Sequence, residues 1–332
     1  MHTINTIDVH VAGEPLRVVT SGFPEPGGQT ILEKRRYCQE HLDHLRKALM
    51  LEPRGHQDMY GCLLVQPCHP EADLGVLFFH NEGYSTMCGH GIIGLVTVLL
   101  EHQMYPITEP ESIIRMETPS GLVTAKASVN NGKVKSVVFH NVPSFVVDLD
   151  QVVEVPGIGP VHYDLAFGGA FYGFCRAEYL RLELIPKNAR KLAEAGMTIK
   201  QAIMDSRTIT HPTEPDLGFL YGIIFVGSPL NANSHYRQVC IFADGALDRS
   251  PTGTGVSAHL ALLKAKGKIQ IGQSLQFESI LGTTFSGKIV EETTVGQLPA
   301  IISEVEGQAF ITGRHEFFID PDDPLKKGYL LG

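Results

Sequence analysis

The chain of 332 residues contains one succession of segments twice, and this internal repeat constrains the fold more than any other feature. A strand-like segment that ends in a turn of small residues and glycine occupies residues 7–14 and recurs at 163–170. In each copy an apolar, helix-like run follows, and after it comes a Ser-Gly pair, at Ser120 and at Ser286. Such a repeat predicts two copies of one structural unit. The two helix starts read STMCGHGIIG from Ser85 and SPTGTGVSAH from Ser250.

A stretch with strong turn signals, EVPGIGP, lies between the two copies. We therefore predict two pseudo-symmetric domains, at residues 1–150 and 151–314, and residues 315–332 are a candidate to return to the first domain. Single hydrophobic cores rarely grow beyond roughly 250 to 300 residues, which also favours two domains.

The segments around the two helix-like runs indicate the fold class. Short β-branched runs joined by Asn-Gly or Glu-Gly turns follow each run, a pattern typical of antiparallel strands. The predicted helices, 89–103 and 253–267, are apolar on most faces, so we expect each to be wrapped by strands of its own domain. The predicted fold class is α+β, with one central apolar helix and mostly antiparallel strands in each domain.

Composition and charge exclude several classes of protein. The formal net charge is −9, and no basic cluster is longer than Lys34-Arg35-Arg36, which argues against a nucleic-acid partner. The apolar stretches are too short to span a bilayer, and the N-terminal residues lack the order of a signal peptide, so we expect a cytoplasmic protein without a membrane partner. Six cysteines without a C-x-x-C pair indicate neither a disulfide framework nor a zinc site, and we predict no metal.

Both helix starts match a glycine fingerprint of dinucleotide-binding proteins. Gly89 to Gly94 fits G-x-G-x-x-G, and Gly253 to Ala258 fits its alanine-ended variant. The fingerprint requires an apolar strand that runs directly into the turn, yet polar residues precede both copies. A nicotinamide-dependent oxidoreductase is therefore disfavoured, and we predict no cofactor.

The physics of a helix start still applies to both turns. The first amides of a helix are unpaired and its dipole is positive there, so an anion such as a carboxylate is welcome. Two such turns that face each other across a cleft would hold one small carboxylate. Cys88 and Thr252 immediately precede the two first glycines. A cysteine at a helix start has a stabilised thiolate and can act as a base, whereas the other five cysteines read as buried fillers.

Long segments in the expected order resemble the proline racemase family over essentially the whole chain. The two signatures are STMCGHGIIG from Ser85 and DRSPTGTG from Asp248. Further family-like segments are RGHQDMYG from Arg54, ETPSGLV from Glu117, FGGAFYGF from Phe167 and FESILGTTFSG from Phe277. The resemblance implies the diaminopimelate-epimerase fold, a proline-like substrate and a homodimer.

The resemblance also implies roles for individual residues. In this family two cysteines act as paired acid and base on opposite sides of the substrate, and the first role falls to Cys88. The backbone amides of four residues at the helix starts are expected to bind the substrate carboxylate. Asp248 is expected to receive the ring ammonium, although capping of its own turn is an alternative role. Phe242 is a candidate apolar wall. The four amide donors are Gly89, His90, Gly253 and Thr254.

Thr252 departs from the racemase and epimerase pattern, which has the second cysteine at this position. A threonine hydroxyl does not ionise near neutral pH, so it cannot replace a thiolate. Family members with threonine here resemble dehydratases of trans-3-hydroxy-L-proline, which implies loss of water as the reaction. Two alternatives stay open: a proline racemase or hydroxyproline epimerase that uses water as its second acid, and a non-catalytic receptor for proline-like amino acids.

Overall fold

The computed structural model describes residues 1–331 and divides into two compact units. The first unit contains Met1–Phe139 together with the segment from Gly307 onward, and the second contains His140–Glu306. The first border therefore lies earlier in the chain than residue 150, and the C-terminal segment of the first unit begins before residue 315. None of the helices within residues 1–331 combines the length and the hydropathy that a membrane span requires.

The first half of the chain forms eight strands and three α-helices, and a short π-helical segment joins the first two helices. In chain order the elements are β1 (His2–Val11), β2 (Glu14–Ser21), α1 (Ile31–Tyr37), α2 (Asp43–Met50), β3 (Tyr60–Val65), β4 (Leu74–His80), α3 (Gly89–Glu101), β5 (Glu111–Thr118), β6 (Gly121–Asn130), β7 (Lys133–His140) and β8 (Ser144–Val155).

As far as residue 331, the second half forms nine strands and two α-helices, with short 3-10 turns before and after the first helix. In chain order the elements are β9 (Gly159–Phe167), β10 (Phe171–Arg176), α4 (Ala189–Ser206), β11 (Leu220–Gly227), β12 (Tyr236–Phe242), β13 (Ala246–Leu247), α5 (Gly253–Ala265), β14 (Ser274–Glu278), β15 (Thr284–Val295), β16 (Leu298–Gly307) and β17 (Ala309–Ile319).

Strand pairing repeats in the two halves. In the first half β1 and β2 are antiparallel, β2 and β3 parallel, β3 and β4 antiparallel, β4 and β5 parallel, and β5 and β6 antiparallel. The second half has the same order of directions along β9, β10, β11, β12, β14 and β15. The duplication predicted from the sequence is therefore confirmed at the level of strand connections, and the α+β class is confirmed with it.

The last strand of each half pairs with the first strand of the other half. In the second unit β8 pairs antiparallel with β9, and in the first unit β17 pairs antiparallel with β1. This exchange places the C-terminal strand in the first unit. The physical cause is the edge of β1, whose backbone groups are satisfied along ten residues by β17.

The helices α3 and α5 occupy the centres of the two units. Residues 89–100 of α3 and 253–263 of α5 are buried without interruption. α3 packs on β1, β2 and β17, whereas α5 packs on β8, β9 and β15. The prediction of two apolar helices, each wrapped by strands of its own unit, is confirmed.

Two features of the fold differ from what the sequence analysis expected. The helices α1, α2 and α4 were not predicted. α1 begins with an N-cap in which the Thr30 side chain accepts from the Glu33 amide, and the Glu33 side chain accepts from the amide of Gln29, the residue before the cap. The two Ser-Gly pairs are also not equivalent. Ser120 lies in the turn before β6, whereas Ser286 lies within β15 opposite Gln276.

Candidate functional site

Cys88 is the N-cap residue of α3 in the first unit. Its backbone is extended, with φ −146° and ψ 110°, and its Sγ accepts a hydrogen bond from the Gly91 amide at 3.2 Å. The side chain is 5 % exposed. The first amides of a helix lack carbonyl partners and carry partial positive charge, so this position stabilises a thiolate. The geometry suits a cysteine that accepts a proton.

His90 lies beside the sulfur of Cys88, a contact that sequence reasoning did not anticipate. Its Nδ1 is 3.2 Å and its Nε2 3.7 Å from Sγ, and the ring is buried. The rings of His90 and Tyr60 pack edge to face, with their centroids 4.8 Å apart. The Tyr60 hydroxyl in turn shares a 2.6 Å hydrogen bond with Ser85 Oγ. A cysteine and a histidine at this distance can share a proton.

The glycine at position 91 is explained by close packing. A Cβ on Gly91 would lie 2.4 Å from Cε1 of Phe78 and 3.0 Å from Sγ of Cys88, so a larger residue would displace the Phe78 ring and press on the sulfur. Gly89 and His90 are the first two residues of α3, and their amides have no carbonyl one turn earlier in the helix. The dipole of α3 is positive at this end, which favours an anion near these two residues.

Thr252 is the N-cap residue of α5 in the second unit, and its environment differs. Its Oγ1 donates to Asp248 Oδ2 at 2.7 Å, and its amide donates to Ser250 Oγ at 3.0 Å. The Ser250 amide donates to Asp248 Oδ1 at 2.7 Å. Asp248 therefore organises the turn, which was the alternative role considered for it. Because its proton points to Asp248, the Thr252 hydroxyl presents only lone pairs to other groups.

The remaining predicted residues of the second unit lie on α5 and β12. Thr254 is the second residue of α5, and its Oγ1 shares a 2.7 Å hydrogen bond with the Tyr172 hydroxyl. Phe242 ends β12, is 3 % exposed and stacks on Tyr221 at 5.5 Å between centroids. Burial raises the pKa of Tyr172 well above its usual range, so its hydroxyl stays protonated. Neither tyrosine was singled out from sequence, although both lie in strands beside glycines.

The other buried cysteines behave as core residues. Burial raises the pKa of the Cys38 and Cys175 thiols to about 12, and that of Cys62 above its ordinary range. A thiol with so high a pKa does not form a thiolate at neutral pH. Within residues 1–331, no group of three or more histidine, cysteine, aspartate or glutamate side chains is placed to hold a metal ion.

The chain is similar to known proteins over nearly its whole length. The family model described as proline racemase matches residues 6–330. A trans-3-hydroxy-L-proline dehydratase of Colwellia psychrerythraea is 46% identical over 99% of this chain and 93% of its own length. A proline racemase of Clostridioides difficile is 44% identical over 99% of this chain and 98% of its own.

A solved structure of similar fold is that of a hydroxyproline epimerase from Agrobacterium vitis with bound trans-4-hydroxy-L-proline. Its TM-score is 0.95 at 33% sequence identity, and the match covers 100% of this chain and 95% of the epimerase chain. The fold expected from the resemblance is thereby confirmed.

Proposed function

This chain belongs to the proline racemase family, and from that premise we propose that it removes water from trans-3-hydroxy-L-proline to give Δ1-pyrroline-2-carboxylate. Relatives named for dehydration and for racemisation have similar identities to the chain, 46% and 44%, so identity does not separate the two reactions. The observation that carries the proposal is the threonine at position 252, whose hydroxyl proton is engaged by Asp248.

Thr252 disfavours inversion of the α-carbon. Inversion by two bases needs a second group that ionises and returns a proton to the opposite face of the carbanion. An alcohol does not ionise near neutral pH, and the proton of this one is donated to a carboxylate 2.7 Å away. A reaction that needs only one ionising base therefore fits the pair of residues better than racemisation does.

Cys88 is the proposed base. Its thiolate takes the proton from Cα, and the electrons of that C–H bond form a double bond between Cα and C3. The bond between C3 and its hydroxyl breaks, and the oxygen leaves as water with the proton that Cys88 has just received. The resulting enamine tautomerises to the cyclic imine. His90, 3.2 Å from Sγ, is placed to stabilise the thiolate before the proton is taken.

Four backbone amides are proposed to bind the substrate carboxylate. Each belongs to the first or second residue of α3 or α5, where a helix amide has no carbonyl one turn earlier in the helix and the dipole is positive. A carboxylate held by such donors withdraws electron density from Cα and makes its proton more acidic. The four residues are Gly89, His90, Gly253 and Thr254.

Asp248 and Phe242 are the proposed contacts of the substrate ring. A carboxylate has about four acceptor positions, and Asp248 uses one on each oxygen within its own turn, which leaves positions for a ring ammonium. Phe242 is held flat against Tyr221 and supplies an apolar surface. An apolar surface beside charged groups strengthens their interaction. The family resemblance also leads us to propose a homodimer, which light scattering on the purified protein tests. We propose a cytoplasmic location as well, on the composition of the sequence and not on the resemblance.

The deciding experiment is to mix the purified protein with trans-3-hydroxy-L-proline and measure Δ1-pyrroline-2-carboxylate by mass spectrometry. We expect stoichiometric formation of the imine without added cofactor. Binding of the amino acid without product would contradict the proposal and favour a receptor.

A second incubation separates the reaction from racemisation. L-Proline in deuterated water should give no D-proline, because Thr252 cannot return a deuteron to the opposite face. Rapid formation of deuterated D-proline would favour the racemase alternative.

A further inference from the structure

The backbone of Thr252 lies in a region that a β-branched residue rarely adopts. Its φ is +62° and its ψ 95°, whereas Cys88, the N-cap residue of the corresponding helix, is extended. A positive φ is unfavourable for threonine because its branched Cβ crowds the backbone. Such a conformation persists only where the surrounding structure holds it.

A buried pair of polar side chains holds the residue before Thr252. The side-chain amide of Gln238 on β12 donates from Nε2 to the carbonyl oxygen of Pro251 at 2.6 Å. Gln238 Oε1 lies 2.9 Å from Nδ1 of His259 on α5. Rotation about φ of Thr252 would swing the peptide plane that contains the Pro251 carbonyl, so a fixed carbonyl fixes that angle.

The ring of His259 sets the orientation of the Gln238 amide. Burial, and then the charges of Arg176, Lys266 and Lys268, lower the pKa of His259 to about 3. The ring is therefore neutral, and Nδ1 is the donor because the atom facing it is a carbonyl oxygen. With its oxygen bound there, the amide directs its NH₂ group toward Pro251.

The corresponding positions in the first half of the chain are aliphatic. Val76 of β4 corresponds to Gln238 of β12, because each is the second of the six residues of its strand that pair with β3 or β11. Val76 lies opposite Leu64, and Gln238 lies opposite Val226. Leu95 and His259 are both the seventh residue after their N-cap. Val76 and Leu95 are fully buried. The scaffold thus accepts aliphatic residues, and the polar pair occurs in the half with the strained N-cap.

Burying an amide and an imidazole costs free energy unless both are hydrogen-bonded. We propose that Gln238 and His259 are positioning residues that lock the strained Thr252 turn and so hold its hydroxyl against Asp248 in the orientation the reaction needs. The part of this inference that concerns the reaction rests on the proposed function, whereas the part that concerns the turn does not.

Hydrogen exchange of one backbone amide, that of Val256, reports whether the Thr252 turn is held in place. The Val256 amide donates to the Thr252 carbonyl at 2.7 Å and closes the first turn of α5. In Gln238→Glu an oxygen replaces the nitrogen that donates to Pro251, at nearly the same volume. We expect hydrogen exchange of the Val256 amide to become at least about tenfold faster. The loss of one hydrogen bond to Pro251 makes local opening of the turn easier by about that factor.

Two further variants separate the lock from general loss of stability. Adding Thr252→Gly to Gln238→Glu should restore most of the protection of the Val256 amide, because glycine adopts positive φ without penalty. Val239→Ala makes a cavity at the neighbouring buried residue of β12, whose side chain has no donor for the Pro251 carbonyl. This variant should leave the exchange of Val256 near that of the parent chain at equal native population.

Enzyme kinetics with trans-3-hydroxy-L-proline as substrate test the part of the inference that concerns the reaction. Gln238→Glu should lower kcat by about 10- to 100-fold and change KM by less than about threefold, because misplacement affects chemistry more than binding. His259→Leu, which introduces the residue found at position 95, should show a smaller loss of kcat. Val239→Ala should keep kcat within about threefold at a temperature where it is folded.

The exchange experiment and the kinetic experiment can fail independently of each other. If the parent chain produces no imine, the proposed function fails, and the exchange of the Val256 amide still decides whether Gln238 locks the turn. If Val256 in Gln238→Glu exchanges as slowly as in the parent chain, the positioning role is overturned. Faster exchange with unchanged kcat would overturn the link between the lock and the reaction.

Discussion

The starts of α3 and α5 share one scaffold and use their N-cap side chains in opposite ways. Sγ of Cys88 accepts a hydrogen bond from the Gly91 amide of its own helix, and its backbone is extended. Oγ1 of Thr252 donates its proton away from the helix to Asp248, and its backbone has a positive φ. One N-cap atom is thus an acceptor bound to the helix, and the other is a donor bound to a carboxylate.

This difference teaches how a duplicated protein assigns unequal tasks to equivalent positions. An atom that accepts from helix amides is stabilised as an anion, which favours a thiolate at position 88. An atom whose proton is held by a carboxylate stays neutral, which suits an alcohol at position 252. The surrounding side chains follow the same division, with His90 beside the sulfur and Gln238 behind the threonine turn.

The largest expected effect comes from removing the thiol of Cys88, the N-cap side chain that accepts a hydrogen bond from its helix. Cys88→Ala should reduce formation of the imine by more than about 10³-fold, because the only proposed base for Cα is lost. The measurement is the rate of product formation at saturating trans-3-hydroxy-L-proline. Cys68→Ser is the matched control, since Cys68 is exposed, and it should keep the rate of the parent chain. Full activity in Cys88→Ala would remove the basis of the comparison.

A second change breaks the donating side. Asp248→Asn keeps the shape of the side chain but removes its charge, so the Thr252 hydroxyl is held less strongly and the ring ammonium loses its proposed partner. We expect kcat/KM to fall by about 10²-fold, with part of the loss in KM. Steady-state kinetics measures both. A change confined to thermal stability, with kcat/KM intact, would mean that Asp248 only caps the turn.

A third change sharpens the comparison by making the two sides more alike. Thr252→Cys places an ionisable group at the second helix start, so we expect slow epimerisation of hydroxyproline to appear while dehydration falls by about tenfold. Chiral chromatography of product from trans-4-hydroxy-L-proline in deuterated water measures the gain. Thr252→Ser retains an alcohol and is the control that should gain nothing. Equal epimerisation by both variants would show that the thiol is not what matters.

Sequence patterns predicted the parts of this structure that depend on local order. The repeated G-x-G turns with their apolar runs predicted two buried helices, and Cys88 and Thr252 were placed at their N-caps. The N-cap at Thr30 is a local signal of the same kind, although α1 was not among the predictions. Contacts between distant segments were not predictable: Gln238 meets Pro251 across 13 positions and Tyr172 meets Thr254 across 82, and no spacing rule connects such residues.

The smallest expected effect is on the pH dependence of stability. It concerns His259 of α5, whose counterpart in α3 is Leu95. The pKa of His259 is lowered from 6.5 to about 3, with burial as the main cause. Below pH 6.5 the unfolded chain takes up a proton that the folded chain refuses, so this residue's contribution to stability is lost as the pH falls toward 3. At pH 5.5 the loss relative to neutral pH is about 1.3 kcal/mol.

His259→Leu tests this loss directly, because leucine does not titrate. Urea unfolding from pH 7 to pH 4.5 should show a free energy of unfolding that declines less steeply in His259→Leu than in the parent chain, by about 1.4 kcal/mol per pH unit below pH 6. The slope is the informative quantity, since the substitution also removes the hydrogen bond to Gln238 and lowers stability at every pH. Parallel profiles would mean that His259 takes up a proton in the folded chain as it does in the unfolded chain. An imidazolium could still donate to Gln238. It would nevertheless be a buried charge, at a position where the first half of the chain has a buried leucine, Leu95.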